Sequence, residues 1–466
     1  MLQRPSEPPS ANPLAVMWGD LAAERARTVP YPPGEHRFSM RRTNRFIEHP
    51  MRVLVDGYER FGPIYTLRIF HHNVVFMLGP EANHQVLVSG AENLSWRGGE
   101  MRALIPLLGD GLLTTDGGYH RAHRKMMLPA FHRERIATAI GVMEDEVERA
   151  ASAFVPGAVV DVYAWTRDLA LRVALRALFG LDPDAARSGD VDASEEFEVA
   201  LSFHARSVAG QVARGPGSPY SRVLRSRQRL DTLLFAEIDR RRAGEGLGED
   251  LLSLLVEARD EDGDPLPREQ IRDEVMTLLF AGHDTTTSTV AFLFYELARN
   301  PEIAEDPGIT MDMLIDETLR KYPPAYIGPR RSIDAFEFQG IPVPARAHVQ
   351  YCSWASHHLP DVWPDPDRFD PHRFTPERKA ALAKGAYVPF GGGSRTCIGM
   401  RFGQAEIAAI TQAILKRSRL ELVPGYELGI RHAPTISPRG GMPMTVRRAA
   451  PAALLGDRSV ATSSTR

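Results

Sequence analysis

The stretch Phe390-Gly391-Gly392-Gly393-Ser394-Arg395-Thr396-Cys397-Ile398-Gly399 decides how the remainder of the 466-residue chain is read. Its glycines let backbone pass close to a flat, bulky partner, and the helically spaced apolar run Ile398–Lys416 predicts a helix starting at the cysteine. Loop amides and the positive end of that helix favour thiolate over thiol, so Cys397 reads as a metal ligand with a lowered pKa. Arg395 offers a planar fork for a carboxylate of the same partner. The second cysteine, Cys352 in Val349-Gln350-Tyr351-Cys352-Ser353-Trp354, has no comparable surroundings and reads as core.

Upstream, Ile271–Arg299 has helical apolar spacing, yet its centre is Phe280-Ala281-Gly282-His283-Asp284-Thr285-Thr286-Thr287-Ser288-Thr289. Gly costs about 1 kcal/mol against Ala in a helix interior, and clustered threonines lose rotamer freedom or bond back to the carbonyl ladder. A locally poor choice inside a strong helix points to function over stability. Ala281 and Gly282 leave room for a ligand, and Thr285 shares a face with Ala281. Asp284 beside it completes an acid and alcohol able to organise water and deliver protons. His283 reads as packed or hydrogen-bonded rather than ligating.

Phe390, Gly393, Arg395, Cys397 and Gly399 match Phe-x-x-Gly-x-Arg-x-Cys-x-Gly, and in this the chain resembles the cytochrome P450 family. The resemblance runs from about Tyr31 to Arg447 and includes Pro32–Gly34. It implies a mainly α cytochrome P450 fold, a large helical domain with a small β region. It also implies haem b (iron protoporphyrin IX) between the long central helix and the cysteine loop, with Cys397 as axial ligand of the iron and Phe390, Gly391 and Ala281 against the cofactor.

Residue by residue, the resemblance assigns proton relay to Asp284 and oxygen-side hydrogen bonding to Thr285. His120 and Arg124, counted back from Pro129-Ala130-Phe131, occupy two propionate-binding positions, with His where many members have Trp. Arg395 and Arg330 supply further propionate contacts, Arg331 being the register alternative to Arg330. Glu317 and Arg320, ahead of Pro323-Pro324, match a structural Glu-x-x-Arg pattern whose third member is placed at Arg373, or alternatively Arg368.

The segments in which the family places its substrate pocket are apolar here: Met101, Leu104, Ile105, Leu107, Leu108, Leu112 and Leu113, with Phe280, Ala281, Thr285, Tyr326 and Ile327. Such a lining implies a lipophilic substrate such as a fatty acid, terpenoid or steroid-like ring system. No flavin or ferredoxin segment follows, so the expected electron source is a separate ferredoxin (or flavodoxin) with an NAD(P)H-dependent reductase. Arg121, Arg124, Lys125, Arg133 and Arg135 against Glu134 suit an acidic donor. The expected reaction inserts one atom of O2 into a C–H or C=C bond. A peroxide-driven or rearranging haem-thiolate enzyme and a non-catalytic haem ligand sensor are the alternatives, against which the Asp284-Thr285 pair argues.

A net charge of -3, from 56 basic and 59 acidic residues, gives no support for nucleic acid as a partner. Two cysteines and no secretory signal predict a disulfide-free cytoplasmic protein, and the apolar stretch Leu14–Trp18 is too short for a membrane anchor. Helical spacing also marks Ile136–Val155, Ala164–Phe179, Val223–Arg242 and Met311–Lys321; alternation marks a hairpin over Ile64–Ile69 and Asn73–Leu78, with further strands at Phe336–Val343 and Met442–Arg447. One domain over 29–448 is expected, between a mobile Pro-rich extension (1–28) and a mobile tail (449–466).

Overall fold

The computed structural model describes residues 13–152, 154–184, 187–188, 191–203, 213–260 and 263–448. Its helices include α1 (Pro13–Arg25), α2 (Met40–Glu48), α3 (Pro50–Phe61), α4 (Gly117–Met127), α5 (Arg133–Ala151), α6 (Val162–Val173), α7 (Ala193–Ser202), α8 (Pro219–Arg242), α9 (Arg268–Arg299), α10 (Met311–Lys321) and α11 (Met400–Arg417). A helix apolar on nearly every side has to be buried. The 32-residue α9 is such a helix, and α6, α8, α10 and α11 pack around it. Its residues Ile271, Val275, Val290 and Leu293 join Leu314 of α10 and Ile410 of α11 in one apolar core.

The β region sits to one side. Strands β1 (Gly34–Glu35), β2 (Ile64–Ile69), β3 (His72–Met77), β4 (Leu94–Ser95), β6 (Ile327–Ser332) and β7 (His348–Cys352) form one sheet in the order β1-β2-β3-β7-β6-β4. β2 and β3 make the expected hairpin, Ile64 opposite Met77, turning through Phe70 at φ 51. β7 runs parallel to β3 and antiparallel to β6, which sets Val349 opposite Arg330 and His348 opposite Arg331. A second antiparallel sheet joins β5 (Val159–Asp161), β8 (Ser418–Leu422) and β9 (Pro443–Arg448) in the order β8-β9-β5.

The structure departs from expectation at the N-terminal side, where Pro13–Arg25 forms a helix inside the supposedly mobile 1–28. Buried Asp20 pairs with Arg331 at 2.8 Å, and Glu24 with Arg68 at 2.8 Å. Polar anchors hold this helix, so apolar periodicity does not reveal it. Residues 1–12 and the tail 449–466 lie outside the described residues. Among the described residues no helix is long and apolar enough to cross a membrane.

Candidate functional site

The Cys397 loop is shaped by close backbone contact. Cys397 donates its N–H to the Phe390 carbonyl at 2.9 Å, while Gly391 and Gly393 sit at φ 69 and 61, where L side chains are disfavoured. A Cβ on Gly393 would stand 2.3 Å from the Leu87 carbonyl oxygen, so the loop rests directly on the turn Gln85–Ser89. The helix begins at Met400 rather than at the cysteine. Of the two cysteines Cys397 is the solvent-accessible one, and Cys352 is core, its thiol pushed up to about 12 by burial.

The protein by itself does not lower the Cys397 thiol as expected. Desolvation by the protein atoms packed around it raises it, although the side chain stays solvent-accessible, against the opposing Gly399 amide and the Arg124 charge. A metal cation deprotonates a coordinating thiol outright, so ligation needs no preformed thiolate.

Along the middle of α9, from Ile271 to Phe294, burial is interrupted at one place. Phe280, Ala281, Gly282 and Thr285 are partly accessible, whereas the flanking runs Ile271–Leu279 and Thr286–Phe294 are buried. At 100° per residue Ala281, Gly282 and Thr285 fall on one stripe, and a Cβ on Gly282 would meet nothing within 4 Å. Thr285, Thr287 and Thr289 donate to the carbonyls of Ala281, His283 and Thr285 at 2.8, 2.7 and 2.8 Å. The Thr285 hydroxyl is thus turned to its own helix.

Asp284 lies off the stripe. It is buried against α6, where Arg167 Nη1 approaches its Oδ1 at 2.5 Å; Arg167 also pairs with Glu198 of α7 at 2.8 Å. Burial raises the Asp284 pKa, but His283 and Arg167 outweigh it and hold the carboxyl below its usual range. His283 contacts the Arg167 carbonyl at 2.9 Å and Glu198 at 3.2 Å. Thr286 turns the other way and donates at 2.9 Å to Glu406 of α11, whose other oxygen has no partner and whose pKa burial pushes up to about 8.

His120, Arg330 and Arg395 line one cavity of about 160 Å³ together with Trp96 and Asp116. Arg395 donates to Asp116 and to the Leu112 and Thr115 carbonyls at 2.8, 3.2 and 2.6 Å. Arg330 is 2% exposed and donates to the Pro329 carbonyl at 2.8 Å. Strand alternation turns Arg331 to the opposite face and onto Asp20, so Arg330 is the one that reaches the cavity. Burial and the neighbouring arginines depress His120 to about 3, leaving it neutral. Arg124 faces Cys397 electrostatically, and its guanidinium has no hydrogen bond or ion pair among the described residues.

This donor set fits haem. At the cavity Arg330 and Arg395 face the partly exposed carboxylate of Asp116, while Glu92 there pairs with Arg121; with Arg124 beside the cysteine this leaves uncompensated positive charge for two propionates, and the accessible thiol of Cys397 offers the iron ligand.

Glu317 and Arg320 form a fully buried two-point pair at 2.7 and 2.8 Å. Arg373 Nε stands 3.7 Å from Glu317, whereas Arg368 contributes its carbonyl to Arg320 at 3.3 Å. Arg373 is therefore the residue whose side chain joins the cluster. Of the pocket candidates, Leu108 is buried in the main core and Ile105 is buried outside it; Phe280 packs on that core, and Tyr326 and Ile327 on a second cluster under the sheet. The structure does not bring all of them onto one wall.

Sequence reasoning missed Trp96, Asp116, Arg167, Glu198 and Glu406. Each acts across a long sequence separation, which local spacing does not record; the only local hint is the polar Glu406 inside the apolar run Ile398–Lys416.

A family model described as Cytochrome P450 matches residues 32–306 and 310–434. Similar proteins include Cyclooctatin synthase of Streptomyces melanosporofaciens, 33% identical over 403 residues (82% of this chain, 87% of the relative). Cyclooctat-9-en-7-ol 5-monooxygenase of the same organism is 32% identical over 390 residues (79% and 84%). The solved structure of retinoic acid bound cyanobacterial CYP120A1 superposes with a TM-score of 0.79 at 26% identity, covering 90% of this chain and 100% of that one. With a fold, a cysteine loop and relatives that agree over most of its length, the chain belongs to the cytochrome P450 family and is a haem-thiolate monooxygenase.

Proposed function

We propose that this monooxygenase inserts one oxygen atom from O2 into a C–H or C=C bond of a lipophilic small molecule, using electrons from a separate ferredoxin or flavodoxin and its NAD(P)H-dependent reductase. The observation that carries this reading is the accessible stripe Ala281, Gly282 and Thr285 in the otherwise buried middle of the helix, with an acid next to its alcohol. Haem, when bound, supplies O2 activation, its iron held by Cys397. His120, Arg124, Arg330 and Arg395 hold the propionates. Thr285 rotates from the Ala281 carbonyl to donate on the oxygen side, and Asp284 receives protons from the Arg167 and Glu198 side. Glu317, Arg320 and Arg373 are structural, tying α10 to the segment before the cysteine loop. Exposed Arg121, Lys125 and Arg133 supply attraction for an acidic donor.

The apolar residues from Leu104 to Leu112 support a lipophilic substrate, in keeping with a relative named for cyclooctat-9-en-7-ol and a neighbour solved with retinoic acid. The test is spectroscopic and kinetic. Reduced protein with carbon monoxide gives the red-shifted Soret band of thiolate ligation, and Cys397→Ala abolishes it. Thr285→Ala diverts NAD(P)H consumption from product to peroxide. An unshifted band or unchanged coupling overturns the respective assignment.

A further inference from the structure

The loop Trp96-Arg97-Gly98-Gly99 was not singled out by its sequence, yet it is fixed with unusual economy. One carboxylate, Asp116, accepts the Trp96 N–H at 3.0 Å, the Arg97 N–H at 3.0 Å and the Ser95 hydroxyl at 2.6 Å. A Cβ on Gly99 would lie 3.1 Å from Arg330 Cα, so the loop backbone lies flush on β6. Held in this way, the Trp96 ring faces the Arg330 guanidinium 3.6 Å from its centroid and Arg395 at 5.3 Å.

The chemistry of that stack differs from an ion pair. A carboxylate beside Arg330 would consume the N–H groups that a ligand needs, whereas a ring face attracts the cation and leaves every in-plane donor free. Arg330 is almost wholly buried; it donates to the Pro329 carbonyl at 2.8 Å and toward the Tyr351 hydroxyl, which leaves other N–H groups of its fork for a ligand. Arg395 at the same cavity is held instead by three oxygens. Burial brings both guanidiniums down to about 10, helped at Arg395 by repulsion from Arg330 and Arg124, so they remain charged at neutral pH.

We propose that Trp96 is a positioning residue for haem, stacking on Arg330 so that the cation is held in place without a carboxylate and N–H donors of its fork stay available to a haem carboxylate. The inference rests on the haem reading above. Trp96 would thereby contribute, from the loop after β4, an aromatic ring at the haem edge, where α4 carries His120.

The test measures haem release to excess apomyoglobin from the ferric holoenzyme, for Trp96→Leu, Trp96→Phe, Arg330→Leu and the Trp96→Leu/Arg330→Leu double variant. Trp96→Leu is expected to release haem roughly tenfold faster, and Trp96→Phe, which keeps a ring face, by an intermediate factor. The double variant should release no faster than Arg330→Leu alone, because Trp96 acts through Arg330. Wild-type release from Trp96→Leu, or multiplicative effects in the double variant, overturns the proposal. If Trp96→Leu does not fold, the Phe variant decides, and release at the wild-type rate overturns the proposal. Failure of the haem reading is separately visible, since wild-type protein would then lack the thiolate carbon monoxide band.

Discussion

At Asp284 a buried carboxylate is kept ionised by Arg167 and His283, which outweigh burial. Removing one partner of a buried pair leaves an uncompensated charge, a loss of about 3–5 kcal/mol. Arg167→Leu should therefore lower the urea midpoint at pH 8 by about that free energy, and adding Asp284→Asn should recover most of it. The pH sense should also change. In the wild type the lowered carboxyl contributes stability that is present above the ordinary carboxylate range and lost as pH falls. In Arg167→Leu the unpaired acid is raised instead, so that contribution reverses. Midpoints at pH 5 and pH 8 decide; a single variant that loses nothing at pH 8 removes Arg167 as the partner that matters.

Between elements, the tie from Thr286 of α9, next to the accessible stripe but facing away from it, to Glu406 of α11 joins the central helix to the helix behind Cys397. Glu406 has only that hydroxyl to offset burial, and its folded pKa of about 8 lies above the ordinary 4.5. The unfolded chain ionises first, so stability present below about pH 4.5 is progressively lost as pH rises to about 8. Glu406→Gln removes this titration. The expected outcome is a wild-type midpoint that declines over that window more steeply than the variant's; parallel profiles would mean that Glu406 is ionised in the fold.

Elements were legible to different degrees. Met311–Lys321 coincides with the sequence expectation, and the β2–β3 hairpin and the long central helix lie within a few residues of theirs, because burial imposes a period on side chains. Cys397 was legible because its glycines are local requirements of one loop. The partners of Asp284 and the Trp96 stack were not, since an ion pair between α6 and α9 leaves no pattern in either helix. The direction of the Cys397 shift was misread for the same reason: amides near the thiol are visible in sequence, and the desolvation by surrounding protein atoms that outweighs them is not.

Across the whole molecule, one imidazole joins α1, the sheet and the pocket-side segment, beside the arginines that also hold α1. His348 of β7 places Nδ1 2.8 Å from Glu100 and Nε2 3.3 Å from Asp20, with His72 stacked on its ring at 4.4 Å and Arg331 nearby. Two carboxylates, one at each ring nitrogen, favour imidazolium over desolvation and the Arg331 charge, raising His348 to about 9. His72, without such a pair, is depressed to about 3 by burial and by His348. Because the folded pKa of His348 exceeds the unfolded 6.5, its contribution is complete below pH 6.5 and lost as pH rises through 9. Glu100 begins the turn Glu100–Leu104 that leads into Ile105–Leu108, so loss of the proton loosens α1 from the segment assigned to the substrate pocket. Amide exchange in α1 and in Glu100–Leu108 should therefore rise together between pH 7 and 9, beyond the intrinsic increase with pH, while α10 stays protected. His348→Gln, which carries no charge at any of these pH values, should show the looser state throughout. A wild-type α1 whose protection does not change over that interval would show that Asp20 is held by Arg331 and Arg102 alone.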